Sequence, residues 1–391
     1  MANRIPLDSL CQPKVATLPN DFDDVIDYID ISSVDNESKT IIAHQEVDAK
    51  EAPSRARQLL QVGDVIVSTV RPNLNAVALV ESAYENTLVG STGYCVLRVK
   101  DGVDNRFIFY FCQSPYFVED MTAQATGASY PAVSASIVRK STLPAYTLEE
   151  QHEIAQHLDT VSTLISLRKQ QIAKLDELVK ARFVEMFGDP EQNEKKLPSV
   201  SMTELCDIID GDRGKNYPKQ EEFSEEGFCL FLNAKNVTSY GFSFENCMFI
   251  TEEKDALLRN GKLSRGDVVL TTRGTLGNLA FYDEFIPYEH MRINSGMVIL
   301  RMKRDRIIES FFIEQFKMQL TSIKARIASG SAQPQLPIST MNKIKMLVPE
   351  LELQKQFAAF VAQTDQQKLT VQHSLAQLEL LKKALMQKYF G

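Results

Sequence analysis

Two histidines in one short stretch are the first residues in this sequence that could do chemistry. Residues 152–157 read HEIAQH, which is close to the HExxH signature of metalloproteases. In that signature the histidines are four residues apart and share a helix face, whereas His152 and His157 are five apart. We therefore expect a solvated helix start here and no zinc site.

The glycine-rich stretches do not match nucleotide-binding loops. GDRGK (211–215) and RGTLGN (273–278) have neither the GxxxxGK[ST] spacing that cradles phosphates nor a GxGxxG pattern. No GxSxG elbow occurs, and the E-x-K fragments at 194–196 and 252–254 have no positioned acidic partner that would make a nuclease site. Catalysis is not indicated, and the sequence favours a recognition or scaffolding protein.

Composition indicates a cytoplasmic protein with more than one domain. The chain has 391 residues, 44% of them hydrophobic, which is enough for two or more cores. The six cysteines are scattered without a CxxC pair, as expected for free thiols in a reducing compartment. No apolar run approaches the roughly 18 residues of a membrane span, and we expect no signal peptide and no membrane contact.

Charge is unevenly distributed along the chain. The net charge of −8 at first argues against a nucleic-acid partner. Residues 20–50, however, hold nine acidic and two basic groups, whereas residues 292–345 hold ten basic and three acidic groups. Because the local field matters more than the sum, the average charge neither indicates nor excludes DNA binding.

The sequence repeats itself at an offset of 203 residues. LVKARFVEMFG (178–188) matches the final LKKALMQKYFG (381–391), VGDVIVST (62–69) matches RGDVVLTT (265–272), GYCVLRVK (93–100) matches GMVILRMK (296–303), and TGASYPAV (126–133) matches SGSAQPQL (329–336). Several blocks that keep one offset over more than 120 residues are not a chance match. The protein consists of two copies of one unit.

Each copy begins with a β-rich part and ends in a helical part. Apolar runs bounded by Gly, Pro or Asn predict strands near 64–69, 76–81 and 93–99 and then a buried helix at 105–121. The second copy predicts strands near 267–272, 279–283 and 296–302 and a helix near 307–327. The predicted fold class is α+β, with β-rich domains at 1–146 and 191–349 and helical regions at 147–190 and 350–391.

The two helical regions each predict one long helix with a regular apolar seam. The apolar seam residues lie three or four residues apart except where polar Arg168, Thr364, Lys368 and Lys382 occupy seam positions, and they comprise Ile154, Leu158, Val161, Ile165, Ile172, Leu175, Phe357, Val361, Val371, Leu375, Leu378 and Leu385. One alternative is that each helix lies on its own domain, but the matched phase of the two helices favours a coiled coil between them. Roughly 35 residues at about 1.5 Å each would form a spacer of about 50 Å.

Three blocks carry a family resemblance. GDVVLTTRGTLGN, SGSAQPQLPI, and VPELELQ followed by a long helix all have counterparts in the first copy, in the same order. This combination resembles the DNA specificity subunit of type I restriction–modification systems over nearly the whole chain. The resemblance implies two target-recognition domains joined by two long antiparallel helices, with a pseudo-two-fold repeat. Each domain would read one half of a bipartite, asymmetric site in double-stranded DNA.

The resemblance also implies partners that carry the chemistry. Two methyltransferase subunits would dock on the specificity subunit, and ATP-dependent restriction subunits are a further partner class. S-adenosylmethionine, ATP and Mg would then bind to those partner chains, with no cofactor in this one. Lys169, Lys174, Lys180, Lys382 and Lys383 are candidates for the docking faces of the helices.

On the same resemblance, the candidates for DNA contact lie in loops after the predicted strands. Direct readout favours Arg or Lys on guanine and Asn or Gln on adenine. The candidates are Arg71, Asn73, Asn75, Ser129 and Tyr130 in the first copy and Arg273, Thr275, Asn278, Ser331 and Gln333 in the second, with Arg292, Lys324 and Arg326 as phosphate contacts. The alternative is a tight turn with an exposed arginine, and a solvated helix face for the phosphate candidates.

Two further expectations remain from the sequence. The alternative to DNA reading is a scaffold with two protein- or glycan-binding domains on a coiled coil.

If a pseudo-two-fold relates the two copies, Gly391 should lie near the N-terminal segment, as Gly188 leads into the second copy.

Overall fold

The computed structural model describes residues 3–328 and 335–391, and the chain divides into two compact units. Unit 1 comprises Met1–Gln171 together with Val371–Gly391, and unit 2 comprises Ile172–Thr370. Both boundaries fall inside long helices, so each unit contains one part of each helix.

Unit 1 is built mainly from short strands. Its strands are β1 (Arg4–Pro6), β2 (Val25–Ile29), β3 (Val34–Asp35), β4 (Thr40–Ile41), β5 (Gln45–Asp48), β6 (Ala56–Leu59), β7 (Val65–Ser68), β8 (Val77–Leu79), β9 (Thr87–Ser91), β10 (Tyr94–Leu97) and β11 (Thr142–Pro144). Its helices are α1 (Leu7–Leu10), α2 (Asn105–Phe111), α3 (Pro115–Gln124), α4 (Ala135–Lys140), the first part of α5 (Leu148–Phe187) and the last part of α10 (Leu351–Phe390).

Two sheets form the centre of unit 1. The antiparallel sheet β10-β7-β8 contains the three strands that the sequence predicts. The second sheet, β5-β2-β9-β6, contains a parallel pair, β2 and β9, and was not predicted. Alternate residues of β7 point to opposite faces, so Val65 and Val67 pack against the helices and Ile66 packs toward the second sheet. Because such a strand is buried on both faces, its sequence is a continuous apolar run.

Unit 2 repeats this plan. Its strands are β12 (Ser199–Ser201), β13 (Cys206–Asp210), β14 (Cys229–Leu232), β15 (Val237–Thr238), β16 (Gly241–Phe242), β17 (Phe249–Ile250), β18 (Asp267–Thr271), β19 (Leu279–Phe281), β20 (Met291–Ile293), β21 (Met297–Met302) and β22 (Lys345–Leu347). Its helices are the second part of α5, α6 (Met202–Leu205), α7 (Glu252–Leu257), α8 (Glu309–Ala328), α9 (Ile338–Met341) and the first part of α10 (Leu351–Phe390).

The two units share their sheet arrangement and their internal polar contacts. The sheet β13-β21-β18-β19 corresponds to β10-β7-β8, and the parallel pair β14 and β20 corresponds to β2 and β9. Arg98 binds buried Asp64 at 2.7 Å, and Arg301 binds buried Asp267 at 2.8 Å. Each pair lies at the 203-residue offset, so the sequence repeat is also a structural repeat.

The predicted helix at 105–121 is wrong as one element, because the structure has two helices there. α2 ends at Phe111, and α3 begins at Pro115 with the Ser114 hydroxyl accepting a hydrogen bond from the Phe117 N–H. Proline has no N–H and its ring clashes with the preceding turn, so it begins a helix better than it continues one. In unit 2 the predicted helix near 307–327 is continuous as α8.

Within unit 1, the first part of α5 and the last part of α10 run antiparallel and complete one core. The His157 ring lies 3.1 Å from the Tyr389 hydroxyl, and the Arg168 side chain donates to Ser374 at 3.2 Å. Ile154 and Leu158 pack in the same cluster as Phe390.

Within unit 2, the remaining parts of the same helices also run antiparallel. The Lys368 ammonium lies 2.5 Å from Asp176, and the rings of Phe183 and Phe357 are 5.4 Å apart. Phe357 and Val361 belong to the core cluster of the β-rich part.

The predicted seam residues fall into two groups. Ile154, Leu158, Phe357 and Val361 lie in the domain cores, so at the helix ends the alternative of a helix on its own domain describes the packing. The others lie nearer the middle or at the rim of the cores: Val161, Ile172 and Val371 are buried, and Ile165, Leu175, Leu375, Leu378 and Leu385 are half-buried. Packing of each helix on its own domain therefore describes the helix ends, and pairing of the two helices describes the segments nearer the middle.

The chain ends meet as expected. The Arg4 guanidinium donates to the Phe390 carbonyl at 3.3 and 3.4 Å, so the last turn of α10 lies beside the N-terminal strand. The prediction that Gly391 lies near the N-terminal segment is confirmed. Among the described residues, no helix is both long and apolar enough to cross a membrane.

Candidate nucleic-acid interface

The β7–β8 loop (residues 69–76) and the β18–β19 loop (residues 272–278) are anchored identically in the two units. Thr69 donates from its N–H and its hydroxyl to the Gly93 carbonyl, at 2.9 Å each. Thr272 donates in the same way to Gly296, at 2.8 and 3.0 Å. The start of each loop is therefore fixed to the sheet.

In each unit a second loop is hydrogen-bonded to the first. The Val133 N–H donates to Thr69 at 2.9 Å, and the Leu336 N–H donates to Thr272 at 3.1 Å. In unit 1 the Arg71 N–H also donates to the Pro131 carbonyl at 2.7 Å. The loops that the sequence singled out separately, around residues 71 and 130, thus form one surface.

Arg71 and Arg273 do not occupy equivalent positions. Val70 pairs with Ala132 in the way that Arg273 pairs with Gln335, so the counterpart of Arg273 is Val70. The counterpart of Arg71 is Gly274, and both have a positive φ, 47° and 71°. Glycine adopts this conformation without strain, whereas an arginine there is held by its surroundings.

Arg71 and Tyr130 form an exposed pair at the surface of unit 1. The guanidinium carbon of Arg71 lies 4.5 Å from the centre of the Tyr130 ring, and Tyr130 is 59% exposed. Stacking of this kind holds the guanidinium in place while its N–H groups remain available. Asn73 and Ser129 are also exposed on these loops.

Each loop borders a concavity at a corresponding place. In unit 1 a cavity of about 470 Å³ lies between the loop and the 3₁₀ turn Ile31–Ser33, and its lining includes Arg55, Arg71 and Tyr130. In unit 2 a cavity of about 650 Å³ lies beside the 3₁₀ turn Ala234–Asn236, and Lys235, Thr275 and Lys324 line it. Nearby Asp30 raises the pKa of Arg55.

Asn75 and Asn278 use their amides inside the protein, which does not support the prediction that they contact bases. The Asn75 side chain donates to the Cys112 carbonyl at 2.8 Å and accepts from Lys39 at 3.0 Å. The Asn278 side chain donates to the Val237 carbonyl at 2.9 Å. Because half-buried amides need such partners, both asparagines close their loops.

Arg292 was predicted as a phosphate contact, and its position contradicts this. It is 4% exposed, its Nε lies 2.5 Å from Asp255 Oδ1, and its other nitrogens donate to the carbonyls of Asn260 and Asp255 at 2.8 Å. Burial opposes ionisation of Asp255, but hydrogen bonds from Lys262 and Arg292 outweigh it, so the pKa of Asp255 is lowered. Arg292 is a structural counter-charge.

The remaining candidates of unit 2 lie at or beyond the loop. Thr275 is exposed, and Lys324 packs on Gly277, where an added Cβ would lie 2.2 Å from the lysine Cε. Arg326 lies 3.8 Å from Glu191. Ser331 and Gln333 lie outside the described residues.

Comparison with known proteins identifies the family. A model of the type I restriction modification DNA specificity domain matches residues 17–177 and 194–380. The chain belongs to this family. The two matched segments end 203 residues apart, so each copy of the repeat is one specificity domain with most of its long helix.

Two relatives of this specificity subunit are distant in sequence. It is 22% identical over 338 residues to the type I restriction enzyme MjaIX specificity subunit of Methanocaldococcus jannaschii, covering 83% of this chain and 76% of the relative. It is 26% identical over 307 residues to the MjaVIII specificity subunit of that organism, covering 73% and 69%. The type I S subunit from M. genitalium shares its fold, with a TM-score of 0.55, 19% identity and coverage of 100% and 96%.

Two cationic residues at these surfaces were missed from the sequence of the specificity subunit. Arg55 and Lys235 line the two cavities but lie far along the chain from the loops that they border. At the 203-residue offset the counterpart of Arg55 is Leu258 and the counterpart of Lys235 is Ser32. Neither counterpart is charged, so the repeat does not indicate that these two residues are functional. Only the tertiary structure reveals them, because Lys235 lies on the 3₁₀ turn beside the unit 2 loop and Arg55 is held beside the unit 1 turn by an ion pair with Asp30 at 3.1 Å.

Proposed function

We propose that this specificity subunit reads a bipartite, asymmetric site in double-stranded DNA, with one half read by each unit. One observation carries the proposal. Loops with the same backbone anchors, together with the second loop bonded to each, present different exposed side chains, Arg71 and Tyr130 in unit 1 and Arg273 and Thr275 in unit 2. Equivalent frames with different side chains are suited to two different half-sites.

The side chains fit direct readout of base edges. Arg71 and Arg273 are exposed guanidinium groups on anchored loops, and arginine is the commonest specific partner of guanine. Lys324 and Lys235 flank the unit 2 loop as phosphate contacts, which position the subunit without carrying sequence information. The net charge of −8 is compatible with this role if partner subunits supply much of the phosphate affinity.

The long helices are proposed to set the gap between the half-sites and to dock two methyltransferase subunits. Each helix has 40 residues, or about 60 Å at 1.5 Å per residue, which exceeds one turn of B-DNA at about 34 Å. Lys174, Lys180 and Lys383 are exposed on them, and Lys169 is exposed and paired with Glu37. Lys382, the fifth docking candidate, is half-buried and lines a cavity.

On this proposal the subunit is non-catalytic, and the chemistry belongs to its partners. The methyltransferase subunits would bind S-adenosylmethionine, and ATP-dependent restriction subunits would bind ATP and Mg. This chain's own residues would select the DNA and orient the partners on it.

Co-expression with the methyltransferase subunit tests the proposal. Methylated adenines mapped by long-read sequencing should define a two-part motif with a constant gap. A scaffold that binds proteins or glycans would give no motif, and a single contiguous motif would contradict reading by both units.

A length change tests the spacer role separately. Insertion of seven residues into each long helix adds about 10 Å, or about three base pairs at 3.4 Å each. The mapped gap should lengthen by that amount while both half-motifs stay the same. An unchanged gap would contradict the spacer role and leave the reading of the half-sites intact.

A further inference from the structure

A second cavity in unit 1 is not explained by DNA reading. Its volume is about 540 Å³, which lies in the range of small-molecule sites. The walls come from α2, α5, the turn after β3, and Lys382 of α10. All of these residues belong to unit 1.

Two of the four cations in this cavity already have counter-charges. Arg106 lies 3.0 Å from Asp159 and 2.9 Å from Glu81. Lys169 lies 2.5 Å from Glu37. The remaining carboxylate of the lining, Asp35, accepts hydrogen bonds from the N–H and hydroxyl of Ser38 at 2.7 and 2.6 Å.

The other two cations, Lys39 and Lys382, form no ion pair with any carboxylate in the described part of the chain. The Lys39 ammonium donates only to the carbonyl and side-chain oxygens of Asn75, at 2.5 and 3.0 Å. The Lys382 ammonium lies 5.7 Å from the centre of the Tyr110 ring. Two half-buried ammonium groups therefore line one cavity, and the nearby carboxylates of Asp35 and Asp159 form no ion pair with either of them.

The pKa values of Lys39 and Lys382 are both lowered in this cavity. Burial lowers the pKa of Lys39 to about 8, with the charge of Lys382 contributing to the shift and that of Asp35 opposing it. Burial also lowers the pKa of Lys382, with a contribution from Lys169. An anion beside both ammonium groups would raise both pKa values, because an opposite charge favours the protonated form.

The rest of the lining suits the body of a small organic ligand. Phe109, Tyr110 and Ile165 provide apolar and aromatic walls, and Ser162 and Ser166 provide hydroxyl groups. A few polar groups on a mainly apolar wall are typical of small-molecule sites. Lysines bind phosphate as compact point charges.

We propose that this cavity binds a small phosphate-bearing molecule of nucleotide size, with its phosphate between Lys39 and Lys382 and its ring system against Phe109 and Tyr110. The lining contains none of the candidate DNA-contact residues, although Lys39 donates to Asn75 of the β7–β8 loop. Because ligand binding is measured without DNA, the test does not depend on the function proposed above.

Isothermal titration of the full-length chain with nucleoside 5′-monophosphates tests the site, with inorganic phosphate as a second probe. We expect saturable binding of one molecule per chain, weakened at least about tenfold in Lys39→Met and in Lys382→Met. Lys39→Arg and Lys382→Arg, which keep the charge, should recover part of the affinity. Lys50→Met is the matched control, since Lys50 is exposed and outside the cavity.

Three outcomes would overturn the proposal. The first is no saturable binding by the folded wild-type chain, and the second is equal binding by wild type and both methionine variants. The third is displacement of the bound nucleotide by duplex DNA without a target site, which would assign the two lysines to a DNA phosphate. Inorganic phosphate that binds as tightly as the nucleotides would contradict the role of the aromatic wall.

Discussion

At the scale of single residues, Arg71 and Arg273 should each control one half-site. Replacing Arg71 by alanine removes the exposed guanidinium held over Tyr130, and we expect a loss of about 1–3 kcal/mol of discrimination at one base pair. Arg273→Ala should do the same in the other half-site. The measurement is the methylated motif of each variant.

Controls for these two variants come from exposed lysines away from the loops. Lys50→Ala in unit 1 and Lys343→Ala in unit 2 should leave both half-motifs unchanged. If Arg71→Ala and Arg273→Ala weaken DNA binding with the same preference at both halves, the two arginines contact only phosphates.

Arg292 should matter for stability and not for sequence preference. Arg292→Met would leave buried Asp255 with Lys262 as its only charged partner among the described residues, so we expect a loss of about 3 kcal/mol or more in the free energy of unfolding. Lys343→Met, in the same basic stretch but exposed, should have almost no effect. Denaturant unfolding measures both, and a stable Arg292→Met variant would contradict the structural role.

Lys39 should make the free energy of unfolding rise with pH between about 8 and 10.5. Its pKa is about 8 in the folded protein and 10.5 ordinarily, so between these values the unfolded chain binds more protons. The free energy of unfolding contributed by Lys39 therefore rises with pH across that window.

Comparison with Lys39→Met isolates this effect. The difference in unfolding free energy, wild type minus variant, should increase between pH 7.5 and pH 10, because other groups cancel. A difference that falls or stays constant would show that the Lys39 ammonium is not destabilised in the cavity.

At the scale of elements, the last turn of α10 is part of the unit 1 core. Phe390 is fully buried, with its ring centre 5.4 Å from Phe107 and 5.8 Å from Phe111 of α2. Phe390→Ala should cost about 3–5 kcal/mol through lost burial and the cavity left behind. Hydrogen exchange should accelerate in α2 and remain unchanged in α8 of unit 2.

The matched control is Leu381→Ala on the same helix. Leu381 is 46% exposed, so its truncation should change stability by no more than about 0.5 kcal/mol. Equal acceleration of exchange in α2 and α8 after Phe390→Ala would contradict a core confined to unit 1.

At the scale of the whole molecule, the repeat and the meeting of the chain ends predict that a circular permutant folds. Arg4 donates to the Phe390 carbonyl, so a linker of about 15 residues can join the ends. New termini within residues 189–198 would leave α5 and β12 intact. Co-expressed with the methyltransferase, the permutant should methylate the same motif.

Two outcomes of the permutation are informative. Retained folding with the same motif supports two equivalent copies. A permutant that fails to fold, while a chain with only the added linker residues at its C-terminus folds normally, would count against the pseudo-symmetry.

The amino-acid sequence by itself determined the repeat, the three central strands of each unit and the two long helices. These features depend on local patterns: continuous apolar runs in buried strands, 3–4 spacing in helices, and glycine at positive φ, as at Gly63 and Gly266. Pro115 is also a local signal, and it would have placed the break between α2 and α3. The exposed positions of Arg71, Tyr130 and Arg273 follow from loops at strand ends.

Only the tertiary structure decided which polar side chains turn inward. Arg292 turns inward because Asp255, distant along the chain, packs beside it, and Asn75 and Asn278 turn inward to carbonyl groups that other elements supply. The parallel pairs β2–β9 and β14–β20, and the cavity with Lys39 and Lys382, join segments far apart in sequence. Local propensity cannot encode such contacts, because the energy of a buried charge or amide depends on partners that only the folded chain brings within hydrogen-bonding distance.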